Sequence, residues 1–193
     1  MNVENLNVED VISSSLTRTL TAKDKAGAHG DYKLQCFDKD GNLKWEMGGH
    51  NLVVNEGLQD MNTKYFTGVG YTATWYLGLY GAASSNDPTA ADTAASHPGF
   101  TEIVPYSNAT RPACTFGTAT TADPSVISNS GSPAAFNING TATVGGAFLI
   151  SNNTKSGTTG VLFSASDFQA PGDRVVASGD TLNVTYTFSL DAA

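Results

Sequence analysis

From about residue 135 onward the chain alternates short apolar, β-branched or aromatic stretches with turn residues, almost to its last position. The stretches are 135–138, 146–151, 160–165 and 181–190, separated by Asn139-Gly140, by residues 151–157 and by Ser178-Gly179-Asp180. Strand-forming residues bounded by Gly, Asn, Asp and Ser at such intervals are the sequence form of a sandwich or barrel. Within 181–190 the even positions are Leu182, Val184, Tyr186, Phe188 and Leu190, and the odd ones are Thr, Asn or Ser. A period of two puts those five on one buried face. The expectation is a mainly β chain, an antiparallel, jelly-roll-like β-sandwich that this last strand closes. Trp45, Trp75, Phe148, Leu149, Phe163, Tyr186 and Phe188 are expected in its core.

Three segments precede or build that domain. Residues 1–28 read as an N-terminal arm or short amphipathic helix, because Val8, Val11, Ile12 and Leu16 recur near helical period without a strand pattern. These four residues are the candidate partner contacts. Residues 29–66 read as a hairpin plus helix packed on the main domain. Asp38-Lys39-Asp40-Gly41 joins two strand-like runs, and Asp-Gly supplies the positive-φ turn. Asn55 is expected to cap a helix over 56–66 whose stripe is Leu58, Met61, Tyr65 and Phe66. Residues 67–193 form the β-sandwich domain, with long loops expected at 81–97 and 117–133.

Charge narrows the function classes. The chain of 193 residues carries 18 acidic and 10 basic side chains, a net charge of −8. Only Arg111, Lys155 and Arg174 are basic beyond residue 66. No basic footprint for nucleic acid is present, and DNA repels a chain of this charge. Met1-Asn2-Val3-Glu4-Asn5 lacks an apolar export signal, and no run approaches the ~18 apolar residues of a membrane span. A soluble product made in a cytoplasm is expected.

Residues capable of chemistry do not assemble into a motif. Asp38, Asp40 and Asn42 resemble the start of a calcium loop, but glycine falls at the fourth position instead of the sixth and no Glu stands at the twelfth. His29, His50 and His97 lie in separate loops without metal-ligand spacing. Cys36 and Cys114 have no CxxC neighbour, so zinc is not expected; whether they pair is open. Neither a catalytic site nor a cofactor is expected.

Several blocks nevertheless resemble a known family. Asp40-Gly41-Asn42-Leu43-Lys44-Trp45-Glu46, His50-Asn51-Leu52-Val53-Val54-Asn55-Glu56-Gly57-Leu58 and Trp75-Tyr76-Leu77-Gly78-Leu79-Tyr80 are similar to small virion proteins of tailed bacteriophages. So are Thr110-Arg111-Pro112-Ala113, Gly146-Ala147-Phe148-Leu149-Ile150-Ser151 and Gly179-Asp180-Thr181-Leu182-Asn183-Val184-Thr185-Tyr186. The resemblance covers roughly residues 32–190 and implies a non-enzymatic structural part, a head decoration (cement) protein or a small tail component. The partner expected from it is the major capsid protein or another virion protein, on the outer surface of the head. A homo-oligomer, trimer or dimer, suits repeated attachment through many weak sites. The alternatives are a tail fibre or receptor-binding tip touching host glycans, and, last, a glycan hydrolase.

Overall fold

The computed structural model describes residues 26–68, 74–81, 87–168 and 172–192. Two antiparallel sheets make up the fold. The first contains β1 (Ala26–Phe37), β2 (Leu43–His50), β6 (Ser125–Ser128), β7 (Ala134–Asn137) and β11 (Thr181–Ala192), ordered β2-β1-β11-β6 with β7 on the other half of β11. The second contains β3 (Leu52–Val53), β4 (Tyr76–Gly81), β5 (Glu102–Ile103), β8 (Ala142–Ile150), β9 (Leu162–Asp167) and β10 (Arg174–Val176). Its order is β3-β9-β8-β4-β5, with β10 paired to β8. Helix α1 (Asn55–Thr67) is the one α-helix among the described residues.

The period of two in β11 holds for its first half, where Leu182, Val184 and Tyr186 are buried, whereas Phe188 is half-buried and Leu190 is exposed. β1 pairs with β11 along its whole length and shows the same alternation at Tyr32, Leu34 and Cys36. These side chains meet Leu77, Leu79, Val144, Ala147, Leu149 and Phe163 of the second sheet in one core, the signature of face-to-face packing. Residues 29–66, expected as a unit packed on the β-domain, are instead woven into it. They supply β1 and β2 to the first sheet and β3 to the second. β1 starts at Ala26, so three residues of the expected arm belong to this strand.

β8 is buried on both faces from Val144 to Ile150. The reason lies in the stretch that follows β4. Ala94 and Phe100 cover the outer face of the second sheet, packed with Tyr80, Phe148, Ile150, Leu162 and Ala165. A strand covered on both faces reads as a continuous apolar run, which is what 144–150 shows. The other expected loop, 117–133, contains a strand: β6 pairs with β11, Ile127 opposite Phe188.

The β1–β2 turn forms as read. Gly41 sits at φ 84°, where a side chain is disfavoured. One carboxylate oxygen of Asp38 accepts from the amides of Asp40 and Asn42, both at 2.9 Å. Hydrogen bonds from Asn42 hold the Asp38 carboxyl below its usual range. Asp38 thus serves the turn's own backbone.

Helix α1 differs from its reading in two respects. Its N-cap is Val54 and no side chain caps it; Asn55 is the first helical residue. Of the expected stripe only Met61 packs on the core: Tyr65 and Phe66 are 81% and 77% exposed, and Gly57 is the buried residue. The cause is a close approach at the first turn. A Cβ on Gly57 would collide with the backbone oxygen of Phe163 in β9. The face turned to the sandwich therefore starts at Gly57 and continues one and two turns on at Met61 and Lys64. Gly57→Ala should cost about 1–3 kcal/mol from overpacking, set against at most about 1 kcal/mol of gained helix propensity. Urea unfolding measures this; a variant as stable as the parent would mean that α1 shifts freely off β9.

Candidate functional site

An apolar cavity of about 760 Å³ opens at one end of the sandwich. It falls within the range usual for ligand pockets. Phe188 and Ile127 line it from the first sheet, Leu149 and Phe163 from the second, and Met61 and Tyr65 from α1. Trp75, Cys114 and Phe116 complete the apolar wall, and Asp60 and Lys64 stand among its polar lining. The cavity lies beneath the second half of α1, where Met61 packs on the core while Tyr65 is exposed.

Buried tyrosines pack behind it. Tyr32 and Tyr186 face each other with ring centroids 4.8 Å apart. The hydroxyl of Ser164 lies 2.9 Å from that of Tyr32 and donates to that of Tyr186 at 3.3 Å. Asn51 donates to the Tyr186 hydroxyl at 2.9 Å. Burial raises the pKa of both phenols, so each is neutral at physiological pH.

Phe188 and the two tryptophans stand differently from expectation. Phe148, Leu149, Phe163 and Tyr186 are buried, whereas Trp45, Trp75 and Phe188 are half-buried and pack against the core from its margin. For Phe188 the reason is the cavity: its ring meets Phe163 of the second sheet edge-on at 5.4 Å and borders the opening on its other side.

Three carboxylates fix loops to the sheets. The first, Glu102 in β5, is paired with Arg111, their side chains 4% and 2% exposed. Nε of Arg111 donates to one oxygen at 3.0 Å and Nη2 to the other at 2.7 Å. The guanidinium also donates to the carbonyls of Asn152 at 2.8 Å and Gly157 at 3.0 Å, while the Ser156 amide donates to Glu102 at 2.6 Å. The second, Asp180, precedes β11. It accepts from Lys44 at 2.5 Å and from the Ala177 amide at 2.8 Å. The third, Glu56 of α1, accepts from the amides of Ala94 at 2.9 Å and Leu162 at 2.8 Å. Sequence reasoning missed all three, because their side-chain partners and most of their amide partners are remote, Arg111 nine residues from Glu102 and Lys44 136 from Asp180.

Burial pushes the Asp180 carboxyl up, but the bonds from Lys44 and Ala177 outweigh it and hold the group below its ordinary value of 3.8. A carboxyl whose pKa falls on folding contributes stability above its unfolded pKa and loses it as pH drops through the folded one. Lys44→Met should therefore lower the urea midpoint at pH 7, and the gap to the parent should narrow below about pH 4. A gap independent of pH would show that Lys44 acts through packing alone.

The remaining sequence candidates do not converge. His29 lies 3.2 Å from Asp191, His50 contacts Asp31 at 2.5 Å, and His97 stacks on Phe100 with centroids 4.4 Å apart. Cys36 and Cys114 are free and buried, and burial pushes each thiol up to about 12. Among the described residues no group of three or more His, Cys, Asp or Glu is placed to hold a metal ion. No described helix is long and apolar enough to cross a membrane. Val8, Val11, Ile12 and Leu16 lie outside the described residues.

Compared with family models, curated proteins and solved structures, the chain finds no match. Its geometry is that of a braced sandwich with an apolar opening at one end.

Proposed function

We propose that this chain is a structural virion protein of a tailed bacteriophage, most simply a cement protein bound to the outside of the head. One observation carries the reading. The blocks that resemble small phage virion proteins contain Lys44, Glu56, Arg111 and Asp180, and these side chains brace the loops against the sheets. The resemblance thus falls on framework residues, and a rigid framework is what a shell-binding part needs. The sparsely charged Ser/Thr/Asn surface and the acidic balance suit an exterior position, away from DNA. Read as an arm, the N-terminal residues would offer Val8, Val11, Ile12 and Leu16 to the major capsid protein or another virion partner. A symmetric dimer or trimer would multiply weak contacts into stable decoration.

The test is co-sedimentation of the purified full chain with mature heads of the phage that encodes it, against immature shells and host cells. Saturable binding to mature heads is expected. Binding to host cells alone would favour a receptor-binding tip, and release of reducing sugar from host polysaccharide would favour a hydrolase.

A further inference from the structure

We propose that the outer face of α1 is a two-fold interface between copies of this chain, each helix packed antiparallel on its counterpart about Asn62. The inference deepens the homo-oligomer of the proposed function by naming its contact surface, and does not depend on binding to a head.

The way α1 docks provides the first argument. Gly57 is the helix's buried residue, and Met61 and Lys64 turn to the cavity one and two turns on. With 3.6 residues per turn, Leu58, Asn62 and Phe66 then share a face turned away from the sandwich, with Tyr65 at its margin beside the cavity. Their exposure agrees: Leu58 is 36% exposed, Tyr65 81% and Phe66 77%. Asn62 between them is exposed too. The Tyr65 and Phe66 rings meet edge-on at 4.9 Å, forming an aromatic patch at one end of the stripe. An apolar patch of this kind on a surface marks an interaction site.

Charge and symmetry select the occupant. Glu56 is engaged by the amides of Ala94 and Leu162, and Asp60 and Lys64 line the cavity, so no charged side chain of α1 stands on the stripe. A second copy offers the same uncharged surface. In an antiparallel pair centred on Asn62, Leu58 of each copy falls opposite Phe66 of the other, because each lies four residues from the centre. Gln59 falls opposite Tyr65 in the same way. The aromatic end of one stripe thereby meets the aliphatic end of the other. Asn62 sits on the axis, where two amide side chains can each donate and accept. Opposite ends of the two helix dipoles also lie side by side. The four rings alone would bury about 500–800 Å² together. Leu58 and the helix flanks bring the total near the ~1,000 Å² of a specific interface. A micromolar dimer is the expected result.

Sedimentation equilibrium of the full chain tests this. Reversible association from 20.1 kDa to twice that mass is expected. Phe66→Asp should weaken it about a hundredfold or more, since a central aromatic anchor is lost twice in each dimer. The side chain is exposed, and the amide spectrum reports whether the sandwich stays folded. Asn62→Cys should oxidise to a disulfide-linked dimer, whereas Asn42→Cys on the β1–β2 turn should not. Cys36 and Cys114 are buried and do not compete. A chain that stays monomeric at every concentration would overturn the proposal. So would association unchanged by Phe66→Asp, or a trimer, because pairing of α1 about one axis joins two copies only. A monomer that decorates heads would overturn this interface and keep the cement-protein reading; a dimer through α1 that ignores heads would do the reverse.

Discussion

Glu102→Gln is expected to destabilise the protein by about 3–5 kcal/mol, the usual cost of removing one partner from a buried ion pair. Arg111 is 2% exposed and already donates to two backbone carbonyls, so its charge has no route to water once Glu102 is neutral. The same substitution weakens the grip on the Ser156 amide, 2.6 Å from Glu102, and so loosens the turn that follows β8. The charge, more than the contact area, should dominate. Glu102→Gln combined with Arg111→Met should therefore lose clearly less than the sum of the two single variants. Urea unfolding of all four proteins checks this. Additive losses would mean that the pair acts as two independent packing residues.

Phe136→Ala should cost about 3–5 kcal/mol by a different route, the cavity left in a core that cannot close around it. Phe136 in β7 is fully buried and meets Tyr106 edge-on at 5.0 Å. Tyr106 is itself tied down: its carbonyl accepts from Lys155 at 2.8 Å, and the ammonium lies 4.0 Å above its ring. Phe188→Ala makes the paired comparison. That ring borders an existing cavity, so its removal enlarges an opening already present, and the loss should be clearly smaller. Equal losses at the two positions would contradict the placement of the cavity beside Phe188.

The two halves of this fold were not equally legible. β11 could be read residue by residue, because alternation of Leu182, Val184 and Tyr186 with Thr and Asn is a local property. The Asp38–Asn42 turn was legible for the same reason. Helix α1 was legible in existence but only in part in facing: of its expected stripe Leu58, Met61, Tyr65 and Phe66, only Met61 packs on the core, and the close approach that positions it is made by Gly57 against the backbone of Phe163. A glycine chosen for close approach leaves no hydrophobic signal. The loop expected at 117–133 hid β6, since Ser125–Ser128 is short, only partly buried, and defined by its pairing with a strand about sixty residues later. The cavity was invisible because it is bounded by α1, β6, β8, β9 and β11 together.

The bracing carboxylates show the same limit from the chemical side. Glu56, Glu102 and Asp180 look like any sparse acids in a Thr-rich chain; their bonds to Leu162, Arg111 and Lys44 cross the sequence. Each holds a segment between strands in one position: the 87–100 cover, the turn after β8, and the approach to β11. A sandwich braced in this way presents a fixed outer surface, which is the property that the cement-protein reading uses.

A cryo-EM map of the mature particle tests that reading most directly. The account predicts density outside the coat shell, at symmetry-related positions, into which the two sheets and α1 fit as one body, with an additional connection reaching the shell from the Ala26 end. Density for this chain confined to the tail tip, or a particle of complete composition that lacks it, would contradict the account.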